Sequence, residues 1–128
     1  MRKVLFVDDQ REILDIIDIK LRDESYEKFY ATSASEALDI LRNKDIDVVV
    51  SDIMMPDMNG LDLLSKAREI KPETIRIVLS GNSQVDAIIS AINEGNIYKY
   101  IMKPWKIDNE AKLIIREAIS EADKVKGR

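Results

Sequence analysis

Five short apolar runs alternate with five stretches of helical period along the chain, and that alternation limits the fold more than any other feature. Residues 4–7 (β1) and 47–51 (β3) read as buried strands, and 75–79 (β4) is a further, largely apolar strand. Residues 28–32 (β2) are more polar, and 98–102 (β5) alternate. Between them, residues 10–22 (α1) carry Ile13, Leu14, Ile17 and Leu21 on one stripe. Ser33 and Glu36 form a capping box ahead of Ala34, Ala37, Leu38 and Leu41 on 34–41 (α2). Pro56 to Gly60 is turn-forming, and Leu61, Leu64, Ala67 and Ile70 mark 61–70 (α3), stopped near Pro72. Ser83 and Asp86 give a weaker cap for 85–92 (α4), with Val85, Ile88, Ile89 and Ile92 as its apolar face and Gly95 in the C′ place. Ile107, Ala111, Ile114, Ala118, Ala122 and Val125 mark the last helix, 107–125 (α5), and the basic residues 124–128 read as a fraying end.

The reading is (βα)₅: an α/β, doubly wound, three-layer sandwich around a parallel five-stranded sheet. The apolar strands belong in the centre and the polar ones at the edges, which gives the order 2-1-3-4-5. At 128 residues, 1–128 is one domain, with no linker, internal repeat or low-complexity tract.

Composition then narrows the chemistry. The chain has no Cys and no His. Disulfides, thiolate nucleophiles, Cys/His zinc sites and Ser-His-Asp triads are excluded. Any metal must be held by oxygens, so Mg²⁺, Ca²⁺ and Mn²⁺ are the candidates. The net charge of −4 argues against direct nucleic-acid binding. The first apolar run ends after four residues at Asp8-Asp9, too short for a signal peptide. No stretch approaches the ~20 apolar residues of a membrane span. No membrane association and a cytoplasmic location are the expectation.

In a parallel sheet every strand ends along one edge, where ligands bind. There the sequence puts Asp8 and Asp9 after β1, Asp52 after β3, Ser80 after β4 and Lys103 after β5. Each has a bland explanation: Asp9 as the cap of α1, Asp52 in an Asx turn, Ser80 in a turn, Lys103 as a solvated strand end. Jointly these are weaker, because three packed carboxylates repel unless something positive sits among them. A hard cation and a nearby Lys meet that need, and such a cluster forms a phosphoryl-transfer site with one carboxylate as nucleophile. The four glycines form neither a Walker A motif nor G-x-G-x-x-G.

These residues resemble the receiver domains of two-component response regulators, the CheY-like family with a flavodoxin-like fold. The likeness rests on V-D-D at 7–9, S-D-I-M-M-P-D-M-N-G at 51–60, L-S-G-N at 79–82 and Y-I-M-K-P-W at 100–105, and it spans nearly the whole chain. It implies Asp52 as phosphoacceptor, Asp9 as a direct Mg²⁺ ligand, Asp8 as a ligand directly or through water, and Met54 offering its backbone carbonyl. Mn²⁺ is an expected substitute. Lys103 would pair with a phosphoryl oxygen, its bond to Pro104 being cis. Ser80 would donate to another oxygen, and Tyr100 would be the switch aromatic. Pro56 and Gly60 would shape the loop. Met54 and Asn82 hold the positions that tune phosphate lifetime, and Gly81 departs from the family's usual small residue with a side chain.

The implied function is a phosphorylation-driven switch, not an enzyme acting on a separate substrate, that catalyses its own phosphorylation and dephosphorylation. The donor would be a sensor histidine kinase or a His phosphotransfer protein, since this chain has no His. The face of β4, α4, β5 and α5 would change, and would engage an effector or form a homodimer through α4, β5 and α5. The alternative is a receiver-like docking module that is never phosphorylated. A small-molecule phosphatase is disfavoured: such enzymes commonly keep a second acid two residues after the nucleophile, where this chain has Met54.

Overall fold

The computed structural model describes residues 1–80, 85–102 and 109–128. Gly81, Asn82, Ser83, Lys103, Pro104 and Ile107 lie outside the described residues. The strands are β1 (Lys3–Val7), β2 (Glu27–Ala31), β3 (Val48–Asp52), β4 (Ile75–Ser80) and β5 (Lys99–Met102). The helices are α1 (Arg11–Lys20), α2 (Ala34–Asn43), α3 (Gly60–Ile70), α4 (Val85–Asn93) and α5 (Asn109–Lys126).

All neighbouring strands pair in parallel, in the order β2-β1-β3-β4-β5. The order follows from polarity, as expected. Every residue of β3 is buried, whereas in β5 only Ile101 is. Strand alternation divides the apolar side chains between two faces. Val4, Phe6, Val48, Val50, Ile77 and Leu79 pack against Leu14, Ile17 and Leu21 of α1 and Ile115, Ala118 and Ala122 of α5. Leu5, Val7, Val49 and Val78 pack against Leu38 and Leu41 of α2, Leu63 and Leu64 of α3, and Ile88 of α4.

The ends of the helices show how local chemistry sets this layout. Ser33 caps α2, its Oγ accepting from the Glu36 N–H at 3.1 Å. After α4, Gly95 takes φ +79°. The Asn96 N–H reaches the Ala91 carbonyl at 2.9 Å and the Gly95 N–H that of Ile92 at 3.0 Å, a Schellman ending.

Several expectations are corrected. Residue 10 precedes α1 rather than opening it, and β3 and β4 run one residue further, to Asp52 and Ser80. Gly60 is the first residue of α3, not the end of a loop, because Asn59 caps the helix through its side-chain oxygen, 2.7 Å from the Leu61 N–H. Leu63 belongs to the core, whereas Ile89 and Val125 are about half exposed. The basic end is fastened rather than frayed. Lys126, its side chain 7% exposed, meets Asp47 at 2.9 Å and Asp45 at 2.8 Å, and Arg128 also pairs with Asp47.

Candidate metal and phosphoryl site

The site follows from strand register. Val7 of β1 lies opposite Ser51 of β3, so the next position on each chain is an aspartate: Asp8 and Asp52. Asp52 itself pairs with Leu79, and Ser80 with Met102, on the last rungs of the sheet. Two buried acids, a buried hydroxyl and the end of β5 therefore meet at one edge.

The carboxylates are placed by different means. Asp8 is fully buried; its N–H donates to the Ala31 carbonyl at 3.1 Å and its Oδ1 accepts from the Gln10 N–H at 2.9 Å. Asp52, 4% exposed, ends the central strand. Asp9 is exposed and does not cap α1: the N-cap is Gln10, whose side chain makes no cap hydrogen bond. The capping explanation of Asp9 thus gives way. One oxygen from each of Asp8, Asp9 and Asp52 lies within 4.8 Å of the others. Hard oxygen donors at that spacing suit a small divalent cation, whose charge would offset their repulsion.

The loop after Asp52 is closed tightly. The Gly60 N–H donates to the Ile53 carbonyl at 2.8 Å, and the Ile53 N–H to the Leu79 carbonyl at 3.3 Å. Met54 sits within this loop with its side chain outward, while Met55 and Met58 pack on the core. Ser80 is buried at the end of β4. Tyr100 lies on β5 opposite Val78 and is 40% exposed. Of the expected site residues, Asp8, Asp9, Asp52, Met54 and Ser80 gather at this edge, and Tyr100 stands two rungs along the outer strand. Lys103 and Asn82 are outside the described residues.

Asp57 was not legible as part of this region. Its carboxylate accepts from the Ala34 N–H at 3.1 Å and the Ser35 N–H at 3.3 Å, joining the loop to α2. No local pattern signals a partner 23 residues away. A cavity of about 580 Å³ lies elsewhere, against Arg2, Tyr26, Arg116 and Ile119. Its arginines are already paired, Arg116 with Glu24 of the same lining at 2.6 Å and Arg2 with Asp123 outside it at 2.7 Å.

Residues 4–115 match the model of the response regulator receiver domain. The chain belongs to the response regulator receiver family. Phosphorylation on an aspartate and dependence on Mg²⁺ are general features of that family. The hydrogenase transcriptional regulatory protein HoxA of Cupriavidus necator is 39% identical over 106 residues, covering 83% of this chain and 22% of its own. A CheY-like response regulator receiver domain protein from Methanospirillum hungatei superposes with a TM-score of 0.87 at 31% identity, covering 97% of this chain and 98% of that one. Response regulator TrrA from Thermotoga maritima, solved with Mg²⁺ and BeF, gives 0.81 at 28% identity over 92% of this chain and 99% of that one. The chain spans between about a fifth and just under half of the curated relatives it matches.

Proposed function

We propose that this receiver accepts a phosphoryl group on Asp52 from the phosphohistidine of a sensor kinase or phosphotransfer protein. The juxtaposition of Asp8, Asp9 and Asp52 within 4.8 Å carries this reading. A carboxylate oxygen of Asp52 forms the new O–P bond as the donor's N–P bond breaks and the imidazole leaves. Asp8, Asp9, Asp52 and the Met54 carbonyl would hold Mg²⁺, which would neutralise charge at the transferring group. Mn²⁺ serves in its place. Lys103 pairs with one phosphoryl oxygen, and the Ser80 hydroxyl donates to another.

Ser80 and Tyr100 act as the switch. Ser80 ends β4 beside Met102, and Tyr100 is on the same outer strand, so a shift at one can be felt at the other through a short stretch of sheet. Phosphorylation thereby biases the α4, β5 and α5 face toward an effector or a second copy of the chain. Met54 and Asn82 set the rate of self-catalysed dephosphorylation. The unit 1–128 acts as one receiver in the cytoplasm, and among the described residues no helix is long and apolar enough to cross a membrane.

The test is incubation with acetyl phosphate and Mg²⁺ followed by intact mass. A gain of about 80 Da, one phosphoryl group, is expected. It disappears in Asp52→Asn and on chelation. No gain in the unaltered chain would leave a docking module that is never phosphorylated.

A further inference from the structure

The loop following Asp52 is fastened sideways by a residue outside the acidic cluster. The first N–H groups of a helix have no intrahelical partner, and α2 divides its own between two side chains. The helical ladder starts with the Ala37 N–H on the Ser33 carbonyl at 3.1 Å, and of the three N–H groups before it Ser33 Oγ takes that of Glu36 at 3.1 Å. The two remaining, from Ala34 and Ser35, go to the Asp57 carboxylate at 3.1 and 3.3 Å. The positive end of the helix dipole favours a carboxylate there. Asp57 belongs to the loop that leaves β3, so this second cap is also a tether. The loop is closed at its root by the Gly60 to Ile53 hydrogen bond, and Met54 lies between root and tether.

We propose that Asp57 is a positioning residue for phosphorylation: by clamping the loop to the N-terminus of α2 it fixes the Met54 backbone beside Asp52. The proposal rests on the Mg²⁺ site proposed above. A capping role alone would stabilise α2 and leave metal affinity untouched. Ser33 supplies the comparison, because it caps the same helix end without holding the loop.

The experiment measures Mg²⁺ affinity by titration calorimetry and the initial rate of phosphorylation by acetyl phosphate in the whole chain. Asp57→Ala is expected to raise the Mg²⁺ Kd about tenfold, in the range seen when groups that orient a metal ligand are removed. Its phosphorylation slows at low Mg²⁺ and recovers as Mg²⁺ is raised. Asp57→Asn, which keeps an oxygen acceptor, is expected to weaken binding less. Ser33→Ala is expected to lose stability and keep its Mg²⁺ affinity. Wild-type affinity in Asp57→Ala, or equal weakening in Ser33→Ala, overturns the proposal. Should Asp57→Ala fail to fold, Asp57→Asn against Ser33→Ala decides in the same way. An unaltered chain that takes up no Mg²⁺ overturns the metal site itself, and the proposal with it.

Discussion

A Cβ on Gly60 would stand 2.0 Å from the backbone oxygen of Asp52. The same atom would lie 2.8 Å from Cα of Ile53. The first turn of α3 thus rests directly on the peptide of the proposed phosphoacceptor, with no room for a side chain between them. Backbone, unlike a flexible side chain, has no cheap way to retreat.

Gly60→Ala is therefore expected to destabilise the fold. Ala gains up to about 1 kcal/mol over Gly in a helix interior, less at a first position. Forcing a methyl into filled space costs about 3 kcal/mol, so the clash wins. Urea unfolding checks the sign: a variant as stable as the unaltered chain would mean that α3 can slide away from Asp52.

Gly95 makes the contrasting case. A Cβ there meets nothing closer than the Arg68 guanidinium at 3.6 Å, yet φ is +79°. Gly95→Ala should cost about 1 kcal/mol, from backbone conformation alone. The same urea experiment should rank it well below Gly60→Ala in damage.

Sequence pattern reached the order of the sheet because burial on both faces writes itself as unbroken apolar runs. β1 and β3 carry such runs, β4 is broken only at Arg76, and β2 and β5 are more polar. The acidic edge was legible for the same reason, since parallel strands must end together. What escaped notice depends on partners far apart in the chain. Asp57 looks like an ordinary loop aspartate until α2 is brought beside it. Asp47 and the basic residues Lys126 and Arg128 are about 80 positions apart, so local pattern alone gives a frayed tail where the fold has a latch. Asp9 shows the opposite failing: a plausible local role as a cap is displaced because the helix begins later, after Gln10.

Asp9 also offers the cleanest test of the metal. It is exposed and makes no cap hydrogen bond to α1, so replacing it should change the metal-free fold little. Asp8 is buried and holds the Gln10 N–H, which would confound the comparison. Mg²⁺ at a hundredfold excess over Kd should stabilise the chain by about 2.7 kcal/mol. That corresponds to a rise in Tm of about 10 °C for a domain of this size. In Asp9→Ala the rise should shrink at the same Mg²⁺ concentration. Relief of repulsion among the acids should leave its metal-free Tm level with the unaltered chain or slightly higher. An equal Mg²⁺ response in both proteins would remove Asp9 from the site.

At the opposite end of the strands, Asp47 is one of the carboxylates that couple stability to acid pH. Burial alone would raise its pKa, but hydrogen bonds from Lys126, the Lys3 N–H and Arg128 outweigh burial and hold it below the ordinary 3.8. A carboxyl whose pKa is lowered by folding contributes stability that is complete above its unfolded pKa. That contribution is lost as pH falls through the folded value, so the relevant window lies below about pH 4. Asp47→Asn removes the charge and with it this part of the acid limb. At neutral pH it should cost about 3 kcal/mol, because Lys126, with its side chain 7% exposed, keeps only the exposed Asp45 as a carboxylate partner. Urea unfolding from pH 7 to pH 2 should show a lower plateau and a shallower decline below pH 4 in the variant. The lowered pKa values of Asp23 and Asp45 persist there, so the decline should not vanish. Parallel curves, offset but equal in slope, would show that the latch acts through packing and not through the Asp47 charge.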